Sequence, residues 1–229
     1  MLTDRQKILL EAIIREYIKT AQAIASERLL SIVQMDISPA TIRNDMVALE
    51  EDGYLVQPHT SAGRVPTEKA FRFYIDQCAE EKIAKKQTQI KSPKTAGESA
   101  LKELAKNIAE LTGETVVLEI NGSTYCTGIG HLFSKPEFEN TGRVAELGTL
   151  LDDLDEIMYN MPALLGDNLE ILLGQDNPFG NDCGSIMVQI SSQPKKRVVF
   201  GILGPMRMDY ERNIAALRRA QEILSNLYF

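Results

Sequence analysis

The stretch that begins at Ser38 constrains the fold more than any other part of the sequence. Ser38 followed by Pro39 predicts a helix start, because serine caps the first turn and proline has the backbone angle of the first helical position. Gly53 favours an end, since glycine adopts the left-handed conformation of a helix C-terminus at little steric cost. Between these signals the apolar residues recur at helical spacing, namely Ile42, Met46 and Leu49. We therefore predict a helix with one buried and one free face.

The free face of this helix begins with small and hydrogen-bonding side chains. At 100° of rotation per residue, this face carries Ala40, Asn44, Val47 and Glu51. Thr41 and Arg43 lie at its flanks. Arginine pairs with guanine and asparagine with adenine, while threonine reaches a phosphate or a thymine methyl group. The pattern favours insertion into a major groove. On the helix alone, a solvated face is an equally good interpretation.

The residues around this helix predict a small domain. Thr3 and Gln6 form a capping box in front of a helix over residues 4–19. Its apolar positions are Ile8, Leu9, Ala12, Ile13 and Tyr17. The other expected elements are a helix over 26–33, strands at 54–56 and 64–65, and a helix that begins near Thr67. Three helices, a two-stranded wing and a following helix make a winged helix-turn-helix, to which we assign residues 1–84.

The loop between the two strands and the helix after it carry polar and cationic side chains. From residue 57 to residue 72 the cations are Arg64, Lys69 and Arg72, against the single acid Glu68. Gly63 allows close backbone approach, and such a loop holds phosphates or enters a minor groove. By itself it is equally typical of a polar hairpin, but beside a helix-turn-helix it favours DNA binding. The predicted DNA-binding residues are Ser38, Thr41, Arg43, Asn44, His59, Thr60, Ser61, Arg64 and Lys69.

The second half of the chain follows a polar segment without periodicity, residues 85–97, which we interpret as a linker. Residues 98–229 alternate helix and strand and predict a small α+β domain. Asn121 and Gly122 indicate a hairpin turn, and a helix over 142–165 is expected to end or kink at Pro162. The other expected elements are a helix around 101–111, strands at 116–120, 123–129, 169–173, 185–190 and 197–203, and a helix with an apolar stripe over 210–227.

The charge distribution gives no general indication of nucleic-acid binding. The net charge is −7, and residues 1–86 hold 12 Lys and Arg against 13 Asp and Glu. A DNA-binding function therefore depends on a local patch and a motif. No apolar run is long enough to span a bilayer, and the first residues lack the features of a signal peptide, so we expect a cytoplasmic protein.

Catalytic and metal-binding chemistry finds little support. Three cysteines, Cys78, Cys126 and Cys183, have no metal-ligand spacing and are expected to be reduced and structural. The acidic run, which comprises Asp152, Asp153, Asp155 and Glu156, spreads over a helix surface and is typical of a solvated face. Gly128 and Gly130 lack the rest of a nucleotide-binding motif. We predict no enzyme, no metal and no cofactor.

Two segments at the N-terminus closely resemble the heat-inducible repressor HrcA family. They are MLTDRQKILLEAIIREYIKTAQAIAS (Met1–Ser26) and SPATIRNDMVALEEDGYLVQPHTSAGRVPTEKAFRFYID (Ser38–Asp76). Three further segments are similar to that family: Gly130–Phe138, Ile171–Pro178 and Gly201–Leu217. The resemblance implies a GAF-like second domain, an inverted-repeat operator in front of chaperone genes, a homodimer, and a GroEL-type chaperonin that maintains the active repressor. We expect the second domain to form the dimer through the apolar stripe over 210–227 and the helix over 142–165.

The chain departs from the family in its length. HrcA repressors resemble it but are longer by roughly a hundred residues, so much of the GAF-like domain and its dimerisation insert is expected to be missing. A repressor released by heat remains the main interpretation. The alternatives are a winged-helix regulator that responds to a small ligand and an enzyme that a winged helix directs to DNA.

The shortened second domain is expected to be the less stable one, because stability falls with domain size. Gly, Asn and Pro breaks at 121–122, 177–178 and 204–205 support this expectation. Its loss on mild heating would uncouple the dimer and release DNA.

Overall fold

The computed structural model describes residues 2–59, 62–78, 90–138, 141–166, 168–193 and 196–228. These residues form two compact units, Met1–Ala79 and Glu80–Phe229. Residues 85–89 of the predicted linker lie outside the described ranges.

The described residues of the first unit form four helices and a two-stranded sheet. Its elements are α1 Asp4–Thr20, α2 Ser26–Ile32, α3 Pro39–Glu51, β1 Leu55–Val56, β2 Val65–Pro66 and α4 Glu68–Cys78. The two strands are antiparallel, with Leu55 opposite Pro66. The second strand was expected to include Arg64, which instead bridges to Ile24, in front of α2. The order of elements confirms the predicted winged helix-turn-helix.

The core of the first unit is built from one face of each long helix. The capping box of Thr3 and Gln6 is present. On α1 the buried apolar side chains are Leu9, Leu10, Ile13 and Ile14. Ile8, predicted to belong to this stripe, is 49% exposed. The helix has more apolar residues than one face accommodates, and packing against α2, α3 and α4 selects the face that contains Leu10 and Ile14.

The second unit is an α+β domain, as predicted. Its elements are α5 Glu98–Thr112, β3 Thr115–Ile120, β4 Ser123–Thr127, α6 Ile129–Phe133, α7 Thr141–Asp152, α8 Leu154–Asn160, β5 Glu170–Leu173, β6 Cys183–Gln193, β7 Lys196–Pro205 and α9 Tyr210–Tyr228. The five strands form one antiparallel sheet in the order β4-β3-β7-β6-β5. The shortened domain therefore still has a continuous sheet.

Side chains from α6, α7 and α8 pack on one face of this sheet. Leu132, Leu154 and Met158 share a buried cluster with Val117 of β3 and Val199 of β7. Helices α5 and α9 contact each other and also the sheet. The sheet is thus the layer on which most of the unit's helices pack.

The predicted hairpin turn at Asn121 and Gly122 is confirmed. Both residues have positive φ, 52° and 86°, as a two-residue type I′ hairpin requires. Strand β4 was expected to continue to Ile129 but ends at Thr127, because Gly128 turns left-handed with φ 77° and begins α6.

The helix predicted over 142–165 is interrupted earlier than expected. It breaks at Asp153 into α7 and α8, and Pro162 then lies in a 3-10 turn, Met161–Ala163. The prediction that Pro162 ends the regular helix is confirmed, whereas an uninterrupted helix up to that point was wrong.

Candidate nucleic-acid interface

Helix α3 presents its predicted free face to solvent. Ser38 is the N-cap, and its Oγ accepts a hydrogen bond from the Thr41 amide at 3.1 Å. The three predicted core residues, Ile42, Met46 and Leu49, are at most 1% exposed. Their burial fixes the rotation of the helix about its axis. The exposed positions on the opposite side are Ala40, Arg43, Asn44, Val47 and Glu51.

An ion pair between a buried carboxylate and a half-exposed arginine holds α3 against α1. Asp45 lies on the inner flank of α3 and its side chain is 9% exposed. It accepts two hydrogen bonds from Arg5, from Nε to Oδ2 at 2.7 Å and from Nη2 to Oδ1 at 3.1 Å. A bidentate pair fixes orientation as well as distance. Sequence analysis missed this pair, because its members are 40 residues apart and neither belongs to a motif.

The four residues predicted on the recognition helix lie together in its first turns. The hydroxyl groups of Ser38 and Thr41 are 2.9 Å apart, so capping already engages both. Arg43 is 65% exposed, and its Nη2 lies 3.5 Å from Glu27 Oε1. That contact is at the limit of hydrogen-bond distance, which leaves the guanidinium able to reorient. Asn44 is exposed.

The wing loop is closed by one side-chain and one backbone hydrogen bond. Gln57 Nε2 donates to the Ala62 carbonyl and the Ala62 amide donates to the His59 carbonyl, both at 2.9 Å. His59 is exposed. Thr60 and Ser61, predicted to bind DNA, lie outside the described residues. The part of the wing that is described therefore presents His59 at its tip.

Gly63 joins the wing to the segment in front of α2. A Cβ at this position would lie 2.4 Å from the backbone carbonyl carbon and oxygen of Ile24. Next to it, Arg64 and Ile24 exchange two backbone hydrogen bonds of 2.9 Å. The close approach that the glycine permits is therefore to the polypeptide itself.

Arg64 and Lys69 both bond to groups at the C-terminal end of α3. The Arg64 side chain is only 15% exposed, and its Nε donates to Glu50 Oε2 at 2.8 Å, which braces the wing against α3. Lys69 is exposed, but its Nζ donates to the Asp52 carbonyl at 2.7 Å and lies 4.3 Å from the Tyr54 ring centroid. It thus stabilises the C-terminal end of α3, the favourable end for a cation.

A groove of about 330 Å³ separates α3 from the wing. Arg43 and Val47 line it from α3, and Gln57 and Arg64 line it from the wing. The start of α2 closes one side of the groove. The exposed face of α3 and the wing therefore border one continuous surface.

The second unit offers less chemistry. The acidic residues at 152, 153, 155 and 156 are exposed, as expected for a solvated face. In the ranges that the structure describes, no group of three His, Cys, Asp or Glu is placed to hold a metal ion. Burial raises the pKa of the half-buried Cys126 thiol to about 11, which makes it a poor nucleophile. None of the described helices is long and apolar enough to cross a membrane.

The space between the sheet and α6–α8 is almost filled by side chains. The void there measures about 10 Å³ and is lined by Val117, Leu132 and Leu154, among others. A drug-sized ligand needs several hundred cubic ångströms. A separate cleft of about 470 Å³ opens beside α7 and α8, between Phe138, Ile157 and Phe179.

The first half of α3 is exposed, and its position is fixed by the Ser38 cap and by the ion pair of Asp45 with Arg5. A two-stranded wing lies next to it. These features define the first unit as a winged helix-turn-helix. The family described as "HrcA protein C terminal domain" matches residues 21–214. The chain belongs to the HrcA family.

Curated relatives support this assignment. The heat-inducible transcription repressor HrcA of Thermobifida fusca is 34% identical over 181 residues, which cover 72% of this chain and 52% of that protein. The chain thus spans about half the length of this relative. The HrcA of Brevibacillus brevis is 26% identical over an alignment of 335 residues that covers 99% of this chain and 98% of that protein. The chain is shorter than these repressors, about 229 residues against about 335, which confirms the predicted shortening.

A solved structure shares the whole fold. It is described as the crystal structure of a hypothetical protein at 2.2 Å resolution, and it has a TM-score of 0.82 with 20% identity. The match covers 100% of this chain and 99% of the other. At this identity the likeness shows the fold alone.

Proposed function

We propose that this chain is a cytoplasmic transcription repressor that occupies an inverted-repeat operator of chaperone genes and leaves it on heat stress. The observation that carries the proposal is the exposed pair Arg43 and Asn44 on a helix whose rotation is fixed by its core residues and by Asp45. The membership of the chain in the HrcA family supports the operator class and the response to heat.

The proposed contacts divide into base reading and positioning. Arg43 and Asn44 read base edges, since both side chains are exposed and free of strong competing partners in the described ranges. Ser38, Thr41, His59, Thr60 and Ser61 contact phosphates or a groove edge. Arg64 acts mainly by holding the wing, and Lys69 contributes charge at the far end of α3.

The proposed active form is a homodimer. A winged helix with so few exposed cations gains affinity when two copies bind an inverted repeat. The apolar stripe of α9, which we expected at the dimer interface, is used inside the unit instead. Its residues Tyr210, Ile214, Leu217, Ala220 and Leu224 are at most 3% exposed. Among the described side chains of this unit, the large apolar ones left exposed are Val144 on α7, Tyr159 on α8 and Leu164, and we assign the dimer contact to them.

Selection of bound DNA from a random pool tests this function. We expect an inverted repeat, bound by a dimer. Arg43→Ala and Asn44→Ala should each weaken binding to the best operator by about 1–3 kcal/mol and flatten discrimination between bases. Arg15→Ala, a half-exposed arginine on α1, is the matched control and should leave discrimination unchanged. Normal operator binding by both the Arg43 and the Asn44 variants would refute the assignment of the reading helix.

Lys69 tests the positioning contacts separately. Lys69→Ala should weaken all DNA sequences similarly and reduce the slope of log affinity against log salt concentration by about one. A loss confined to the best operator would show that Lys69 reads bases instead.

A GroEL-type chaperonin is the proposed partner that restores the second unit after heating. Operator binding should recover faster on cooling when chaperonin and ATP are present. Equally fast and complete recovery without them would remove the chaperonin from the proposal.

The cleft beside α7 and α8 favours a second candidate, a winged-helix regulator that responds to a small ligand. Its volume of about 470 Å³ and its lining of both apolar and polar residues suit a small organic molecule. A metabolite that raises the melting temperature of the second unit and changes operator affinity would establish this alternative.

A further inference from the structure

Val47 is the last apolar side chain along the exposed face of α3, which we call the reading face because the proposed function places it against DNA bases. It is 38% exposed, and it lies one helical turn beyond Arg43 and one turn before the exposed Glu51. It lines the groove that α3 shares with the wing. An isolated exposed valine is ordinary on a protein surface. This one lies on the surface that the proposed function places against bases.

The spacing along the helix places Val47 close to the base that Arg43 reads. Four residues correspond to about 6 Å along a helix and about 40° of rotation, so the two side chains share one face. Base pairs in B-DNA are spaced by about 3.4 Å. A side chain at position 47 therefore meets the groove within about two base pairs of the Arg43 contact.

The chemistry of valine selects one partner in the major groove. Valine neither donates nor accepts hydrogen bonds, so contact with a base heteroatom would leave that atom unpaired. The apolar group that a base pair presents in the major groove is the 5-methyl group of thymine. Glu51, one turn further on, carries a negative charge that opposes closer approach of phosphates beyond this point.

We infer that Val47 is a specificity-determining residue that contacts a thymine methyl group within about two base pairs of the base read by Arg43. The inference rests on the proposed function. It adds an apolar contact to the hydrogen-bonding contacts of Arg43 and Asn44, and it predicts which operator positions tolerate uracil.

Replacing each operator thymine in turn by uracil removes one methyl group and nothing else. With the unsubstituted dimer and the selected operator, we expect one or two positions in each half-site to lose about fourfold in affinity, the effect of one buried methyl group. Val47→Ala should bind the operator more weakly and show no uracil penalty at those positions. Ile8→Ala, which shortens an exposed apolar side chain of α1 in the same unit, should retain the full penalty.

Thr41 also carries a methyl group on this surface, and Thr41→Ser separates its contribution. Serine keeps the capping hydroxyl that lies next to Ser38 and removes only the methyl group. The inference requires that the uracil penalty near the Arg43 base depends on Val47 and persists in Thr41→Ser. A penalty unchanged in Val47→Ala, or no penalty at any thymine, overturns it. Failure of the unsubstituted protein to select any DNA sequence would overturn the proposed function instead, and the inference with it.

Discussion

The two units of this chain treat buried polar groups in opposite ways. In the first unit the buried acids are paired: Asp45 with Arg5, and Glu16, through Oε1, with Arg28 Nη2 at 2.5 Å. In the second unit several buried polar atoms have no hydrogen-bond partner among the described residues. They are Glu114 Oε2, Glu119 Oε2, Arg212 Nε and both amide atoms of Asn213. In residues 2–59 and 62–78 no such buried atom is found.

The contrast has consequences for stability and function. Each buried polar atom without a partner costs roughly 1–3 kcal/mol, which is a large share of the stability of an ordinary domain. The described residues of the first unit avoid this cost. The second unit bears it, and we expect it to unfold first.

The same contrast revises the reason for expecting a weak second domain. The breaks in its sequence are well accommodated: Asn121 and Gly122 fit their turn, and Asn177 accepts a hydrogen bond from Ser185 Oγ at 3.1 Å and donates one to the Cys183 carbonyl at 2.8 Å. We attribute the expected lower stability of the second unit to side chains such as Asn213. Periodicity alone does not reveal that this residue is buried.

Heating should produce the largest effect, complete loss of operator binding while the first unit is still folded. Loss of the second unit separates the dimer, and single winged helices with few cations bind weakly. One thermal ramp should follow operator binding, dimerisation and helix content together. Binding that persists until the helices of the first unit melt would show that the second unit is not the switch.

Gly63→Ala should give the next largest effect, confined to the first unit. The new methyl group would lie 2.4 Å from the Ile24 backbone. The wing must therefore move away from the segment in front of α2, or the free energy of unfolding of the unit must fall by about 3 kcal/mol or more. Operator affinity should fall at least tenfold, with the melting of the second unit unchanged. Gly53→Ala is the matched control, because Gly53 has φ 74° but open space around it, and it should cost only about 1–2 kcal/mol. Equal effects of the two substitutions would contradict the close packing of the wing.

The sequence predicts most elements of both units but not the contacts that differ between them. Helix caps and turns depend on neighbouring residues, so the capping box at Thr3 and the turn at Asn121 were confirmed. The pairing of Arg64 with Glu50 and the burial of the α9 stripe depend on residues far apart in the chain. The charge of Arg64 and its place in the wing therefore predict a DNA contact but not the pairing with Glu50, and the periodicity of the α9 stripe does not tell a dimer interface from a core.

Asn213→Leu should stabilise the second unit. Leucine has the same branching and number of side-chain heavy atoms, and it removes two polar atoms that are buried without partners. We expect a gain of about 1–2 kcal/mol and a rise in the second unit's melting temperature of roughly 2–4 °C per kcal/mol. The temperature of operator release should rise with it. Asn160→Leu, at an exposed position, should give no gain, and a destabilised Asn213→Leu would show that the asparagine is needed.

The smallest expected effect concerns pH and Glu114, which lies in the turn between α5 and β3. Its side chain is 3% exposed, and Oε1 accepts a hydrogen bond from Lys135 Nζ at 3.1 Å. Burial raises the pKa of Glu114 above its ordinary value of 4.5, although the charges of Lys135, Arg212 and Arg207 act in the opposite direction. The folded protein therefore binds this proton more tightly than the unfolded chain does.

Stability of the second unit should consequently fall as pH rises from 4.5 through the raised pKa of Glu114, by about 1.4 kcal/mol for each unit by which the pKa is raised. Glu114→Gln removes the titrating group and keeps an acceptor for Lys135. The difference in unfolding free energy between this variant and the unsubstituted protein should therefore increase in favour of glutamine across that pH interval and then level off. Urea unfolding of the second unit at a series of pH values measures this difference. Glu110→Gln, at an exposed position of α5, controls for the loss of one negative charge. A difference that stays constant with pH, or that favours glutamate as pH rises, would show that Lys135 and the two arginines outweigh the cost of burying the carboxylate.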